Sequence, residues 1–301
     1  PEAFPKDIMR AAQAIPETVP EDTIARRRQH DFRQLTTITI DGEDAKDLDD
    51  AVSLEYDETT KQYRLYVHIA DVSEYVTEHS LIDQEALNRG TSVYLTDRVI
   101  PMLPRVLCNG ICSLNPEEDR LTLSCVMDID ASGKILNHEI CESVIRSDKR
   151  MSYSGVHAIL TNTELTNGED IASYLPYKPL LERMYELSQL LRNRRYERGG
   201  IDFDFPETKI ILDAQGHVTD IHPYERNEAH MLIEDFMLAA NETVAEDFFW
   251  QQVPFVFRVH EKPDAEKFQQ LSLAIENFGH FIRIRDDESI RPKEVQKLLD
   301  A

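Results

Sequence analysis

The stretch "TITIDGEDAKDLDDAVSL", Thr37 to Leu54, places two runs of strand-like residues on either side of an acidic knot. "TITI" alternates branched side chains, and "AVSL" does so again after the acids, a period of two that predicts extended chain on both flanks. Between them stand Asp41, Glu43, Asp44, Asp47, Asp49 and Asp50, with Lys46 as the single local cation. Carboxylates crowded together repel, and the repulsion grows as water is excluded. Leu48 and Ala51-Val52 are interleaved with the acids, which implies a partly buried backbone where bare carboxylates are expensive. Asp41 ends a strand at Gly42, a residue suited to a sharp turn, and the following segment can fold back so that Asp47 and Asp49 or Asp50 face Asp41. Oxygen ligands gathered this way suit Mg²⁺. The spacing alone also leaves an acidic surface turn open, and it does not fit a calcium-binding EF-hand loop.

Working outward, further strand-like runs fall at Ala51–Tyr56, Tyr63–Ile69, Leu121–Asp130 and Ile135–Ile145, the last two joined by a hairpin turn at "DASGK". Helical periods dominate later. "KPLLERMYELSQLLRNRRYERGG" puts Leu180, Leu181, Met184, Leu187, Leu190 and Leu191 on one face and stops at Gly199-Gly200. "AHMLIEDFMLAANETVAEDF" and "KPDAEKFQQLSLAIENFG" predict two more helices, the second from Pro263 to Gly279. The fold class expected is α+β: a mixed, largely antiparallel sheet with helices packed against it. Residues 1–34, with Pro5, Pro16 and Pro20, read as a lead-in linker with short helices. Residues 35–301 read as one domain.

Of 301 residues, 41% are hydrophobic and 30% charged, an ordinary globular composition. Thirty-three basic residues against 56 acidic ones leave a formal charge of -23. A surface so negative argues against nucleic acid unless metal ions or a local basic channel intervene. Cys108, Cys112, Cys125 and Cys141 lack the spacing of a zinc knuckle and read as reduced, packed thiols. There is no signal peptide and no apolar run long enough to cross a bilayer, so a cytoplasmic protein is expected.

Taken together, "TIDGEDAKDLDDAV", "YVHIADVSEYV", "RGTSVYLTDRVIPMLP", "NGICSLNPEEDRLTLSC", "RGGIDFDFPETKI", "LIEDFMLAANETVA" and "FVFRVHEKP" resemble, in order, the ribonuclease II / ribonuclease R family of exoribonucleases. The blocks run from about Leu35 to Pro263, and their details are more similar to the ribonuclease R branch. The resemblance implies 3'-to-5' hydrolysis of single-stranded RNA to nucleoside 5'-monophosphates, by a Mg²⁺-dependent two-metal mechanism and as a monomer. It implies Asp41, Asp47 and Asp50 as metal ligands and Asp49 as the acid most needed for the chemical step. It implies Tyr94 and Phe203 as the aromatic pair clamping the terminal bases, Tyr153 as a tyrosine influencing the length of the end product, and Glu234 as a contact to the terminal nucleotides. Stacking suits such a clamp, since every base has a flat face. The family's later "SPIRRY"-type segment, whose arginine assists phosphate chemistry, is not in this sequence, so the expectation is a catalytic domain incomplete at its C-terminal side and at most weakly active by itself. Two other readings stand beside it: a non-catalytic acidic module that binds a cation or a protein partner, and a relative that binds RNA without cutting it.

Overall fold

The computed structural model describes residues 2–164, 171–200, 207–224, 226–259, 264–279 and 295–296. The alternating runs around the acidic stretch become β1 (Thr37–Asp41), β2 (Asp50–Asp57) and β3 (Gln62–Ala70), paired antiparallel in succession. β4 (Val93–Tyr94) and β5 (Val99–Ile100) form a small separate hairpin. β6 (Asp119–Ile129) and β7 (Ile135–Arg146) turn at Asp130–Lys134, where Gly133 takes a left-handed φ of 76°. β8 (Lys149–Ser152) lies parallel to β1, and β9 (Glu207–Leu212) with β10 (Val218–Tyr224) makes another two-stranded ribbon. Among the described residues the main sheet has six strands in the order β7-β6-β3-β2-β1-β8.

Alternation decides what each face of that sheet meets. Ile38, Ile40, Val52, Leu65, Val67 and Met127 point into the main core. The helices that meet them there are α4 to α6, numbered after three helices that belong to a second buried cluster. Those three are α1 (Lys6–Gln13), α2 (Glu21–Arg26) and α3 (Leu81–Arg89). The two short helices of the proline-containing N-terminus each begin just after a proline, Pro5 or Pro20, and carry acids in their first turn. Their Ile8, Ala12 and Ile24 are buried with Ile82, Leu107 and Ile111. On the face opposite the main core the sheet carries a buried polar ladder across five strands. Thr37 Oγ1 meets Ser53 Oγ at 2.7 Å, Ser53 Oγ meets His68 Nε2 at 3.3 Å, and His68 Nδ1 meets Ser124 Oγ at 2.6 Å. Ser124 continues to Ser143, and the Phe32 ring covers His68.

The core-side helices are α4 (Tyr153–Thr161), α5 (Lys178–Arg198) and α6 (Glu228–Gln251). On α5, Leu181, Met184 and Leu187 are buried, with Leu180, Leu190 and Leu191 packed beside them, and Gly199 ends the helix at a left-handed φ of 102°. A buried ion pair ties α5 to α6: Asp235 receives Arg192 Nη2 at 2.9 Å and Ser188 Oγ at 3.1 Å, with Arg195 Nη1 at 3.3 Å. α7 (Ala265–Glu276) is capped by Asp264 and ends just before the expected glycine stop at Gly279; Pro263 lies outside the described residues. The α+β reading and the largely antiparallel sheet are borne out. No helix among the described residues is long and apolar enough to cross a membrane.

Candidate active site

The acidic stretch is the connection between two neighbouring strands. β1 ends at Asp41, whose Oδ1 accepts the Gly42 N–H at 2.6 Å, and the chain turns there, with the Ala45 N–H donating to the Gly42 carbonyl at 3.1 Å. Arg150, on the neighbouring β8, donates to the carbonyls of Gly42 (3.4 Å) and Glu43 (2.8 Å), and Ser154 hydrogen-bonds the Glu43 carboxylate. On the other flank Leu48 is 2% exposed, packed with Ala51, Ala70, Leu114 and Ile145. Burying a leucine contributes about 1.5–3 kcal/mol, which favours the inward turn against the repulsion of its acids. Asp49 accepts the Ala70 N–H through its carbonyl at 2.8 Å, and Asp50 then opens β2 opposite Ile69.

These placements bring the four aspartates into one electrostatic group. Desolvation raises Asp41, Asp49 and Asp50 above the usual carboxylate range, and their neighbours raise them further: Asp47 acts on Asp41, Asp47 and Asp41 act on Asp49, and Asp41 and Asp49 act on Asp50. Asp50 is pushed up to about 7. The Gly42 amide and the Arg150 guanidinium pull Asp41 the other way. Asp50 Oδ2 is buried with no hydrogen-bond partner among the described residues. Among the described residues no three acidic, histidine or cysteine side chains already converge as a metal-ligand set. An oxygen-only donor set, surplus negative charge and an orphaned buried carboxylate oxygen nevertheless fit a hard divalent cation, which would supply the missing charge.

Tyr94 stands on β4, 70% exposed, and the charges of Asp47, Asp49 and Asp41 add to desolvation in raising its phenol. It lines a groove of about 940 Å³ between the β4–β5 and β9–β10 ribbons, with Asp44 and Lys209 in the same wall. Tyr153 opens α4, where the Ser152 hydroxyl caps the Gly155 N–H at 2.8 Å. Its ring stacks on His230 of α6, centroids 4.0 Å apart and planes 17° off parallel, so one face is already covered. His230 feels the charge of Glu43, which links this aromatic pair to the acidic turn. Glu234 lies one helical turn beyond His230 and is paired with Arg226 at 2.5 Å. Phe203 lies outside the described residues. Arg150, Ser154 and His230 were not singled out from sequence. "RMSYSG" does place Arg150 and Ser154 beside Tyr153, and the i, i+4 spacing of His230 and Glu234 puts them on one helix face.

A family model described as the RNB domain matches residues 29–301. Ribonuclease R of Thermotoga maritima is 48% identical over 301 residues, covering 100% of this chain and 41% of its own length. Ribonuclease R of Escherichia coli is 38% identical, covering 100% of this chain and 36% of its own. The chain therefore spans less than half the length of these curated relatives. Among solved structures, Mycoplasma genitalium RNase R in complex with ribose methylated single-stranded RNA superposes with a TM-score of 0.88 at 29% identity, over 99% of this chain and 45% of that one. Yeast Ssd1, a pseudonuclease, reaches 0.70 at 20% identity over 93% of this chain and 33% of its own, a likeness of fold alone. The fold thus hosts more than one fate, and chemistry has to be argued from the site. With the family match running from residue 29 to residue 301, the chain belongs to the RNB domain family.

Proposed function

We propose that this chain is the catalytic domain of a Mg²⁺-dependent exoribonuclease that degrades single-stranded RNA from its 3' end to nucleoside 5'-monophosphates, acting as a monomer in the cytoplasm. The observation that carries the reading is the strand-end turn itself: four aspartates in mutual contact through their fields, with a buried carboxylate oxygen that nothing in the described chain satisfies. Asp41, Asp47 and Asp50 are assigned to hold the cation, and Asp49 to support the chemical step. Mg²⁺, as a pair of ions held there, would supply activation of the attacking water and charge neutralisation at the leaving oxygen. The chain's own part is to present oxygen ligands on a rigid turn, to exclude water on the Leu48 side, and to feed the strand end in over Tyr94. Phe203 is assigned as the partner of Tyr94, Tyr153 as the residue that sets how short the last product is, and Glu234 as a contact to the terminal nucleotides. The division at residue 34 between a lead-in and the catalytic domain belongs to the same proposal.

The likeness to ribonuclease R proteins supports RNA as the substrate, and the complete set of four aspartates favours cleavage over binding alone. Digesting 5'-labelled single-stranded RNA with the intact protein, with and without Mg²⁺, tests it. The expected result is progressive shortening from the 3' end, free 5'-mononucleotides, and arrest by a chelator. Internal cuts, or shortening that ignores the chelator, would contradict it.

A further inference from the structure

Leu48 separates Asp47 from Asp49, and its buried side chain fixes where the turn is anchored but not how its peptide groups are oriented. Peptide orientation decides where the two flanking carboxylates point. Both polar backbone groups of Leu48 are held by one short segment. Its N–H donates to Ser113 Oγ at 3.0 Å, and its carbonyl accepts the Leu114 N–H at 2.8 Å. The same Ser113 hydroxyl lies 3.0 Å from the Lys46 carbonyl, which accepts its proton, with Asn115 Oδ1 at 3.2 Å as the competing acceptor. One hydroxyl therefore grips the chain on both sides of Asp47. Ser113 is fully buried and is itself held from behind: Arg120, 4% exposed, donates through Nε to the Ser113 carbonyl at 2.7 Å and through Nη2 to the Gly110 carbonyl at 3.3 Å.

We propose that Ser113 is the positioning residue of the acidic turn, holding Asp47 and Asp49 toward a divalent cation without touching the ion or the RNA. The role rests on the metal reading of that turn. Its physical basis is the repulsion already described. Left to themselves, Asp47 and Asp49 would separate by swinging apart into water, and the peptide groups between Lys46 and Leu48 are what resist that motion. A partner that orients metal ligands in this way is typically worth 10- to 100-fold in metal affinity.

The test is Mn²⁺ binding to the intact protein, followed by electron paramagnetic resonance without RNA. It compares wild type, Ser113→Ala, Ser113→Cys, Asp50→Asn and Ser124→Ala. Ser124 is an equally buried hydroxyl, 1% exposed and bonded to His68 and Ser143 in the sheet, so its variant controls for general destabilisation. Ser113→Ala is expected to weaken Mn²⁺ binding by about 10- to 100-fold. Ser113→Cys, which keeps the side-chain shape with a weaker hydrogen bond, should fall in between and covers the case that the alanine variant does not fold. Ser124→Ala should lower the melting temperature and leave Mn²⁺ affinity alone, while RNA affinity in chelator stays the same in all. Losses in both Ser113 variants no larger than in Ser124→Ala would overturn the positioning role and leave the metal reading standing. Wild-type binding that Asp50→Asn fails to weaken would overturn the metal reading, and Ser113's role with it.

Discussion

Asp235 and Asp50 both carry a carboxylate that the fold withholds from water, and they are served in opposite ways. Asp235, between α5 and α6, has Arg192, Arg195 and Ser188 around it. Burial raises its proton affinity, and the two arginines pull it back. Asp50, at the start of β2, has Asp41 and Asp49 instead. Among the described residues each acid keeps one buried oxygen without a hydrogen bond, but Asp235 Oδ1 has Arg195 Nη1 at 3.3 Å and Asp50 Oδ2 has no such ion pair. A buried charge is tolerable when paired and costly when not. Among the described residues that problem is met at the helix interface by arginine side chains and is left open at the strand ends. The difference separates a carboxylate used for structure from one kept for a ligand that the described residues do not supply.

Substitutions that remove each kind of carboxylate should therefore fail in different ways. Asp49→Asn is expected to lower RNA turnover by about 10³-fold or more, roughly 4 kcal/mol of barrier, with RNA affinity nearly unchanged. Single-turnover rates and filter binding would check it, and retention of a tenth of wild-type turnover would remove Asp49 from the chemistry. Asp235→Asn should instead cost about 3–5 kcal/mol of stability, because it strands Arg192 and Arg195 in the interface. Urea unfolding that moved by less than 1 kcal/mol would show that the interface does not depend on this pair.

His68 supplies a third case, a buried base whose hydrogen bonds among the described residues go to the hydroxyls of Ser53 and Ser124. Burial lowers its pKa from 6.5 to about 3. Its neutral form is the folded one, so its contribution is whole above pH 6.5 and is lost as pH falls, by about 1.4 kcal/mol per unit, until the folded value near 3 is reached. Between pH 6.5 and 4.5 that amounts to about 2–3 kcal/mol. His68→Gln should show a correspondingly shallower acid limb in its stability profile, and identical limbs would contradict the assignment. Tyr94→Ala, at an exposed ring rather than a buried group, should weaken 3'-end binding by about 1–3 kcal/mol with little dependence on base identity. Unchanged affinity in a fluorescence titration would take Tyr94 out of the clamp.

How far this contrast could be read in advance depends on the range of the interaction. The strands around the acids, the β6–β7 hairpin and the long helices were legible, because alternation and the 3.6-residue period are local signals. β8 was not: "KRMS" has no alternation, and its parallel pairing with β1 joins residues more than a hundred positions apart. α3 carried its signals, Ser80 as N-cap and Gly90 as stop, inside a stretch whose family likeness drew attention to Tyr94. The aspartates were visible as a knot of charge. The hydroxyl that grips their backbone was not, since Ser113 reaches Leu48 across 65 positions and looks like any buried serine. Nor did the sequence foretell that Tyr153 would already have His230 against its ring.

The central claim is that the Asp41–Asp50 turn is completed by a cation, and thermal melting with and without Mg²⁺ tests it most directly. A ligand that binds only the folded state at ten times its dissociation constant stabilises by about 1.4 kcal/mol. Wild type should melt higher in Mg²⁺, and Asp50→Asn, freed of the repulsion, should melt at or above wild type in chelator and gain little from the ion. An equal Mg²⁺ response in both proteins, or an Asp50→Asn variant that melts well below wild type in chelator, would contradict the account.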